Sequence, residues 1–152
     1  MKTIYYIAYG TNLNKSHFFR MCPSAKIIEI SLLSDKSLVF KGDGEEYSYL
    51  TLEDGVGNWV PIVVFEISYF DSLRLDRYEG YPLLYSKKWI NVHIGGKNIS
   101  AMIYIMNEKY DYHLPSLKYF NACIQGYKDF DLDKNYLVRA LKITEERKNK
   151  GR

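Results

Sequence analysis

Two short stretches of this chain hold the residue types that proton transfer needs. The first is Leu75-Asp76-Arg77-Tyr78-Glu79-Gly80-Tyr81-Pro82. A carboxylate followed by glycine and flanked by aromatic rings suits the floor of a pocket. Apolar neighbours disfavour the charged form and raise a glutamate's pKa toward neutrality, where it serves as both acid and base. The same residues also read as a helix end with a glycine cap and an exposed glutamate. The second stretch is Tyr5-Tyr6-Ile7-Ala8-Tyr9-Gly10-Thr11-Asn12-Leu13-Asn14. Here an apolar run stops at a glycine, a hydroxyl residue and two asparagines. Glycine permits backbone shapes that expose consecutive N–H groups to a carboxylate or a developing oxyanion. An ordinary strand-to-helix turn with an asparagine cap has the same composition.

Other chemistries lack their residues. His17, His93 and His113 have no metal-ligand spacing and read as structural. There is no nucleophile elbow, no phosphate-binding loop and no dinucleotide fingerprint. Cys22 precedes Pro23, and its one nearby histidine, His17, lacks a supporting Asn or Asp pattern, so Cys22 reads as a small buried residue. Cys22 and Cys123 are far apart without a CxxC partner, which suggests neither a disulfide framework nor a zinc site. No metal and no cofactor are expected.

The elements that must position the two stretches follow from periodicity. Ile4 to Ala8 reads as a buried strand, and residues 16–22 as a short helix stopped by Pro23. Lys26 to Ile30, Leu38 to Phe40, Tyr47 to Leu52 and Trp59 to Ile67 read as four strands. Turns are expected at Gly42-Asp43-Gly44 and Gly55-Val56-Gly57-Asn58. Pro61 points to an edge or a bulge. Asp71 to Tyr78 suits a short surface helix, with Phe70 and Leu73 facing inward. Lys88 to Ile94 alternates, Gly95-Gly96 turns the chain, and Ile99 to Met106 is apolar on both faces, hence central in the sheet. Leu117, Phe120, Ile124 and Tyr127 then share one helix face, with Pro115 in the first turn. Leu137, Ala140 and Leu141 mark a last short helix capped by Asp131 or Asp133. Strands first and helices mostly late predict an α+β fold with a curled, mixed, largely antiparallel sheet.

Composition agrees with one compact domain. The chain has 152 residues, 47% hydrophobic and 26% charged, enough to bury a core without staples. Its 15 tyrosines suit both core edges and pocket walls. The net charge of +3 does not suggest a nucleic-acid partner. No apolar segment is long enough to span a bilayer, and residues 1–6 look like a first strand, so the cytoplasm is expected. The domain is placed at 1–144, and the charged segment 145–152 is expected to be a flexible tail.

Tyr6-Ile7-Ala8-Tyr9-Gly10-Thr11-Asn12-Leu13 resembles the opening Tyr-Gly-Ser-Asn-Leu signature of the γ-glutamylcyclotransferase-like (AIG2-like) family. Leu75-Asp76-Arg77-Tyr78-Glu79-Gly80 resembles that family's Leu-Asp-x-x-Glu-Gly element, and Pro115-Ser116-Leu117-Lys118-Tyr119 its Pro-Ser-x-x-Tyr element. The three stand in the family's order over roughly residues 3 to 141. The resemblance implies a β-barrel-like α+β fold in which Glu79 is the acid/base. It implies substrate contacts from Tyr6, Ile7, Ala8, Tyr9, Gly10, Thr11, Asn12, Tyr85 and Tyr119. Thr11 replaces the usual Ser, which adds a methyl to the pocket. The implied reaction closes a γ-glutamyl group to 5-oxoproline and releases an amine or amino acid. The implied partner is a small γ-glutamyl substrate, with no nucleic acid or membrane, in a monomer or homodimer. A non-catalytic binding module of the same fold and a γ-glutamylamine-specific cyclotransferase are the alternatives.

Overall fold

The computed structural model describes residues 3–150. β1 (Ile4–Ala8) is followed by a 3-10 turn at Thr11–Leu13 and by α1 (Lys15–Met21). Asn14 caps α1 by accepting from the His17 N–H at 3.2 Å. β2 (Lys26–Gly42) and β3 (Ser48–Ile67) then form one long antiparallel hairpin. The four shorter strands expected here are therefore two. The register shifts between Ser34 and Lys36, and Asp35 takes φ 59. Opposite, Gly57 at φ 84 donates its N–H to the Asp35 carboxylate at 2.9 Å. A bulge thus absorbs the turn residues, and the strands bend without ending. Pro61 pairs with Leu32 past the last β1 pair at Val63, where the ladder has β2 alone beside it.

α2 (Tyr69–Tyr78) leads to β4 (Tyr85–Ile94) and β5 (Lys97–Met106), joined through Gly95 and Gly96 at positive φ. β6 (Asp111–Tyr112), α3 (Leu117–Asp129) and α4 (Asn135–Lys150) complete the described chain. The sheet order is β4-β5-β1-β3-β2-β6. β1 and β5 are parallel, and the other neighbours are antiparallel. This mixed sheet curls into a half-barrel, as expected, with β5 inside it. The core fills the curl with Ile7, Leu13, Phe18, Phe40, Phe65 and Tyr127.

Three helices differ from expectation, two in the face they bury and one in length. In α2, Phe70 and Leu73 are exposed, while Asp71, Ser72 and Leu75 are buried. Asp71 closes a capping box with Ser68 and takes hydrogen bonds from Ser24 and Arg74, which turns that side of the helix inward. In α3 the buried stripe is Cys123, Gly126 and Tyr127, with Phe120 and Ile124 half-buried, while Leu117 is exposed at the first helical position. Ser116 is the N-cap, so Pro115 lies just outside the first turn. α4 is sixteen residues long, not short, and carries the charged segment as far as Lys150 in helix. The Asp133 carboxylate accepts from the Asn135 N–H at 2.9 Å, but it stands one residue ahead of the position before α4, which Lys134 holds, so it forms a turn into the helix and is not the expected cap. Thr144 ties α4 to the sheet by accepting from the Phe40 N–H at 2.9 Å.

Candidate active site

Glu79 is placed by the way α2 ends. Gly80 takes φ +64 and donates to the Arg77 carbonyl, while Tyr81 donates to the Asp76 carbonyl at 2.9 Å. This paired closure with a left-handed glycine makes Glu79 the C-cap residue. Its side chain leaves the helix end toward the barrel mouth, where β1 stops and the 3-10 turn begins. Asn12 donates from Nδ2 to Glu79 Oε1 at 3.2 Å. The two sequence stretches therefore meet, 67 residues apart in the chain.

Between them lies a cavity of about 210 Å³. At about 30 Å³ per water, it holds roughly seven waters, the scale of a small organic molecule. Tyr6, Ile7, Tyr9, Gly10, Thr11 and Asn12 line one side, and Glu79, Tyr85 and Tyr119 also line it. Ala8 is the exception among the expected contacts. It is buried within the sheet opposite Val63 and is not part of the lining. The sequence reading did not single out Tyr49, Leu50, Tyr78, Leu84 and Tyr104, which complete the wall. Tyr78 directly precedes Glu79, a faint signal, while Tyr104 shares a sheet face with Met102, which pairs with Tyr6 of β1, a placement that needs the strand pairing.

The tyrosine hydroxyls are fixed with opposite polarities. Tyr9 donates to the Tyr104 carbonyl and Tyr85 to the Leu50 carbonyl, each at 2.6 Å. Both keep lone pairs for a ligand. Tyr6 accepts from Asn12 Nδ2 at 2.8 Å, and Tyr119 accepts from the Leu50 N–H at 2.9 Å. Both keep a hydrogen to give. Thr11 and Tyr78 share a hydrogen bond at 3.0 Å across the mouth. Gly10 sits where a Cβ would meet Leu50 and the Tyr119 hydroxyl at 3.5–3.8 Å, so its lack of a side chain keeps that wall open.

The electrostatics follow from burial. Protein atoms crowd the Glu79 carboxyl, and desolvation pushes its pKa from 4.5 up to about 8, against the smaller opposing effect of the Asn12 hydrogen bond. Desolvation also holds the hydroxyls of Tyr6, Tyr9, Tyr85 and Tyr119 in their neutral form, above the usual phenol range. Cys22 and Cys123 are buried, with burial pushing each thiol up to about 12, which suits packing and not nucleophilic attack. Among the described residues no group of three His, Cys, Asp or Glu side chains is arranged to hold a metal. No helix among them is long and apolar enough to cross a membrane.

A half-barrel with one desolvated carboxyl and a Gly-Thr-Asn turn at its mouth defines an α+β pocket protein equipped for proton transfer. Residues 6–122 match the family described as γ-glutamyl cyclotransferase, AIG2-like, and the chain belongs to that family. A solved γ-glutamyl cyclotransferase is 25% identical, with a TM-score of 0.75 over 91% of this chain and 86% of its own. An uncharacterised protein from Homo sapiens is also 25% identical, with a TM-score of 0.78 over 92% of this chain and 87% of its own. YkqA from Bacillus subtilis shares the fold at 19% identity and a TM-score of 0.75, over 93% of this chain and 55% of its own. None of the curated proteins matches the chain.

Proposed function

We propose that the protein cyclises a γ-glutamyl group to 5-oxoproline and releases the attached amine or amino acid. The observation that carries this reading is the desolvated Glu79 carboxyl, facing a cavity of one glutamyl group's size beside the Tyr9-Gly10-Thr11 turn. The substrate's α-ammonium enters with Glu79 as its base. The substrate's α-amino group stands beside a free carboxylate and keeps its proton above the usual range of a chain N-terminus, so a carboxyl raised to about 8 narrows the gap between base and ammonium and lowers the cost of the transfer.

The freed amine attacks the γ-carbonyl carbon of the same molecule. A C–N bond forms, the five-membered ring closes, and the carbonyl oxygen gains negative charge. Tyr6 and Tyr119, whose hydroxyls hold a spare hydrogen, and the first N–H groups of the 3-10 turn are the available donors for the substrate's carboxylate and that oxygen. Glu79 gives its proton to the leaving nitrogen, the old C–N bond breaks and the amine departs; the ring nitrogen sheds its second proton to the Glu79 carboxylate so freed, and the departing amine takes that proton up. Because nucleophile and electrophile share one molecule, holding the chain bent supplies much of the rate.

The test is incubation with γ-glutamyl amino acids, γ-glutamylamines and larger γ-glutamyl conjugates, with 5-oxoproline measured in each. Release of 5-oxoproline from at least one is expected. No 5-oxoproline from any, with tight binding that survives Glu79→Gln, would leave a binding module.

A further inference from the structure

The buried Asn12 side chain makes three hydrogen bonds, and together they fix which way its amide points. Nδ2 donates to Tyr6 Oη at 2.8 Å and to Glu79 Oε1 at 3.2 Å, and Oδ1 lies 3.2 Å from His17 Nε2. Turned over, the amide would set its oxygen against the ionised carboxylate, two acceptors face to face, whereas a protonated carboxyl donates to that oxygen, so inversion favours the protonated form. Tyr6 does not prevent that inversion, since its hydroxyl serves as donor or acceptor. His17 can prevent it, provided Nε2 carries a hydrogen.

The geometry points to His17 as a positioning residue for Glu79: it donates from Nε2 to Asn12 Oδ1 and so keeps the Asn12 amino group on the carboxyl. The His17 ring is itself held from two sides. Its backbone N–H caps onto Asn14 at 3.2 Å, which fixes the first turn of α1. Its ring packs against Tyr78 with centroids 4.8 Å apart, and Tyr78 is anchored through Thr11. Burial, and then the nearby Arg20 charge on the same helix, hold His17 below its ordinary pKa. The ring is therefore neutral at neutral pH, and its hydrogen is assigned to Nε2 because the facing Asn12 Oδ1 can only accept. Among the described residues His17 is not part of the cavity lining, so it acts through Asn12.

Losing this donor lets the amide invert and weakens the hydrogen bond that favours the charged carboxyl. The Glu79 midpoint should then rise. Around Glu79 the other titratable neighbours are neutral tyrosines, Tyr6 and Tyr9 from β1, Tyr78 from the end of α2, Tyr85 from β4 and Tyr104 from β5, which cannot compensate with charge.

The functional weight of this inference rests on Glu79 as the proton carrier, but its test does not. Protein carrying 13C in the glutamate carboxyls is titrated by NMR, with the Glu79 signal assigned by its loss in Glu79→Gln. His17→Phe keeps a ring against Tyr78 and removes the donor. It should move the Glu79 midpoint up by about half to one pH unit, the worth of one hydrogen bond. His17→Gln, whose amide again donates, should bring it back. In turnover, the acid limb should shift the same way while the alkaline plateau is kept. A Glu79 midpoint unchanged in folded His17→Phe overturns the inference, as does a rise that His17→Gln fails to reverse. His17→Leu supplies the comparison if His17→Phe does not fold. Should no γ-glutamyl compound be turned over, the titration still decides on His17.

Discussion

Replacing Glu79 by glutamine tests the site through stability as well as through rate. The carboxyl rises from 4.5 to about 8 on folding because burial penalises its charge. At about 1.4 kcal/mol per pH unit, that rise corresponds to a ceiling of about 5 kcal/mol. The sign follows from proton binding. Between pH 4.5 and 8 the folded state keeps a proton that the unfolded state has lost, so this group's contribution to stability falls as pH rises through that window. Below it both states are protonated, and above it the penalty is complete. Glutamine has the same shape and never ionises. Glu79→Gln should therefore match the parent near pH 4.5 and exceed it by several kcal/mol at pH 9, read from denaturant midpoints at a series of pH values. Turnover should fall by at least about two orders of magnitude, the usual contribution of a general base. The parent's rate should climb with pH along a limb near 8. A stability difference that stays flat from pH 5 to 9 would mean that the carboxyl is not desolvated. A variant that turns over normally would remove Glu79 from the chemistry.

Other substitutions separate the pocket from its supports. Gly10→Val should abolish substrate binding with the fold retained, because its methyls project toward Leu50 and Tyr119 where a Cβ already stands at 3.5–3.8 Å; calorimetric titration on folded protein checks it. Tyr119→Phe removes the acceptor for the Leu50 N–H and the hydrogen offered to the cavity, and should lower kcat/KM about tenfold or more while costing only about 1–2 kcal/mol of stability. Phe120→Ala should do the reverse. Its half-buried ring packs near Phe40 at 6.2 Å, so about 2 kcal/mol is expected, below the roughly 3–5 of a fully enclosed ring. Gly126→Ala would press a Cβ to 2.7 Å from the Asn14 nitrogen and 2.8 Å from the Leu13 carbonyl carbon. It should destabilise by about 1–3 kcal/mol and raise KM by shifting the 3-10 turn, measured by denaturation and steady-state kinetics.

The site's two halves were readable because each is local. A strand that stops at Gly10 and a helix that stops at Gly80 write their ends into adjacent residues, and Glu79 and Asn12 sit at those ends. The walls were less readable. Tyr49 and Leu50 reach the cavity from β3, and Tyr104 from β5, through pairings that a single strand's pattern does not specify. The long hairpin reads as four strands because Gly55 to Asn58 has the composition of a turn, while in the fold Gly57 and Asp35 form a bulge tied by their own hydrogen bond. Phe70, Leu73 and Leu117 were misplaced for a related reason. Apolar spacing gives a stripe but not its rotation, which in α2 is set by the buried Asp71. His17 reads as structural in the sequence because it has no metal-ligand spacing to another histidine. Its partner Asn12 is five residues away, across a change from 3-10 turn to helix.

The supports of the site form a closed circuit. α3 packs its Gly126 against the backbone at Leu13 and Asn14, which holds the 3-10 turn. That turn carries Asn12 to Glu79 and Thr11 to Tyr78, and both partners lie at the end of α2. α2 is pinned at its other end, where Ser24 from the α1–β2 connection donates to Asp71 at 3.3 Å. The same Tyr119 that rises from α3 into the cavity accepts from β3 at Leu50, and Leu50 in turn accepts from Tyr85 of β4. A buried carboxyl with a raised pKa is costly to fold, and it persists only where its surroundings cannot relax around it. Here that rigidity comes from tying α2, α3, the 3-10 turn, β3 and β4 to one another, in part through groups that line the cavity. The ligand-binding polarity of each hydroxyl is therefore set by a bond that also holds the fold.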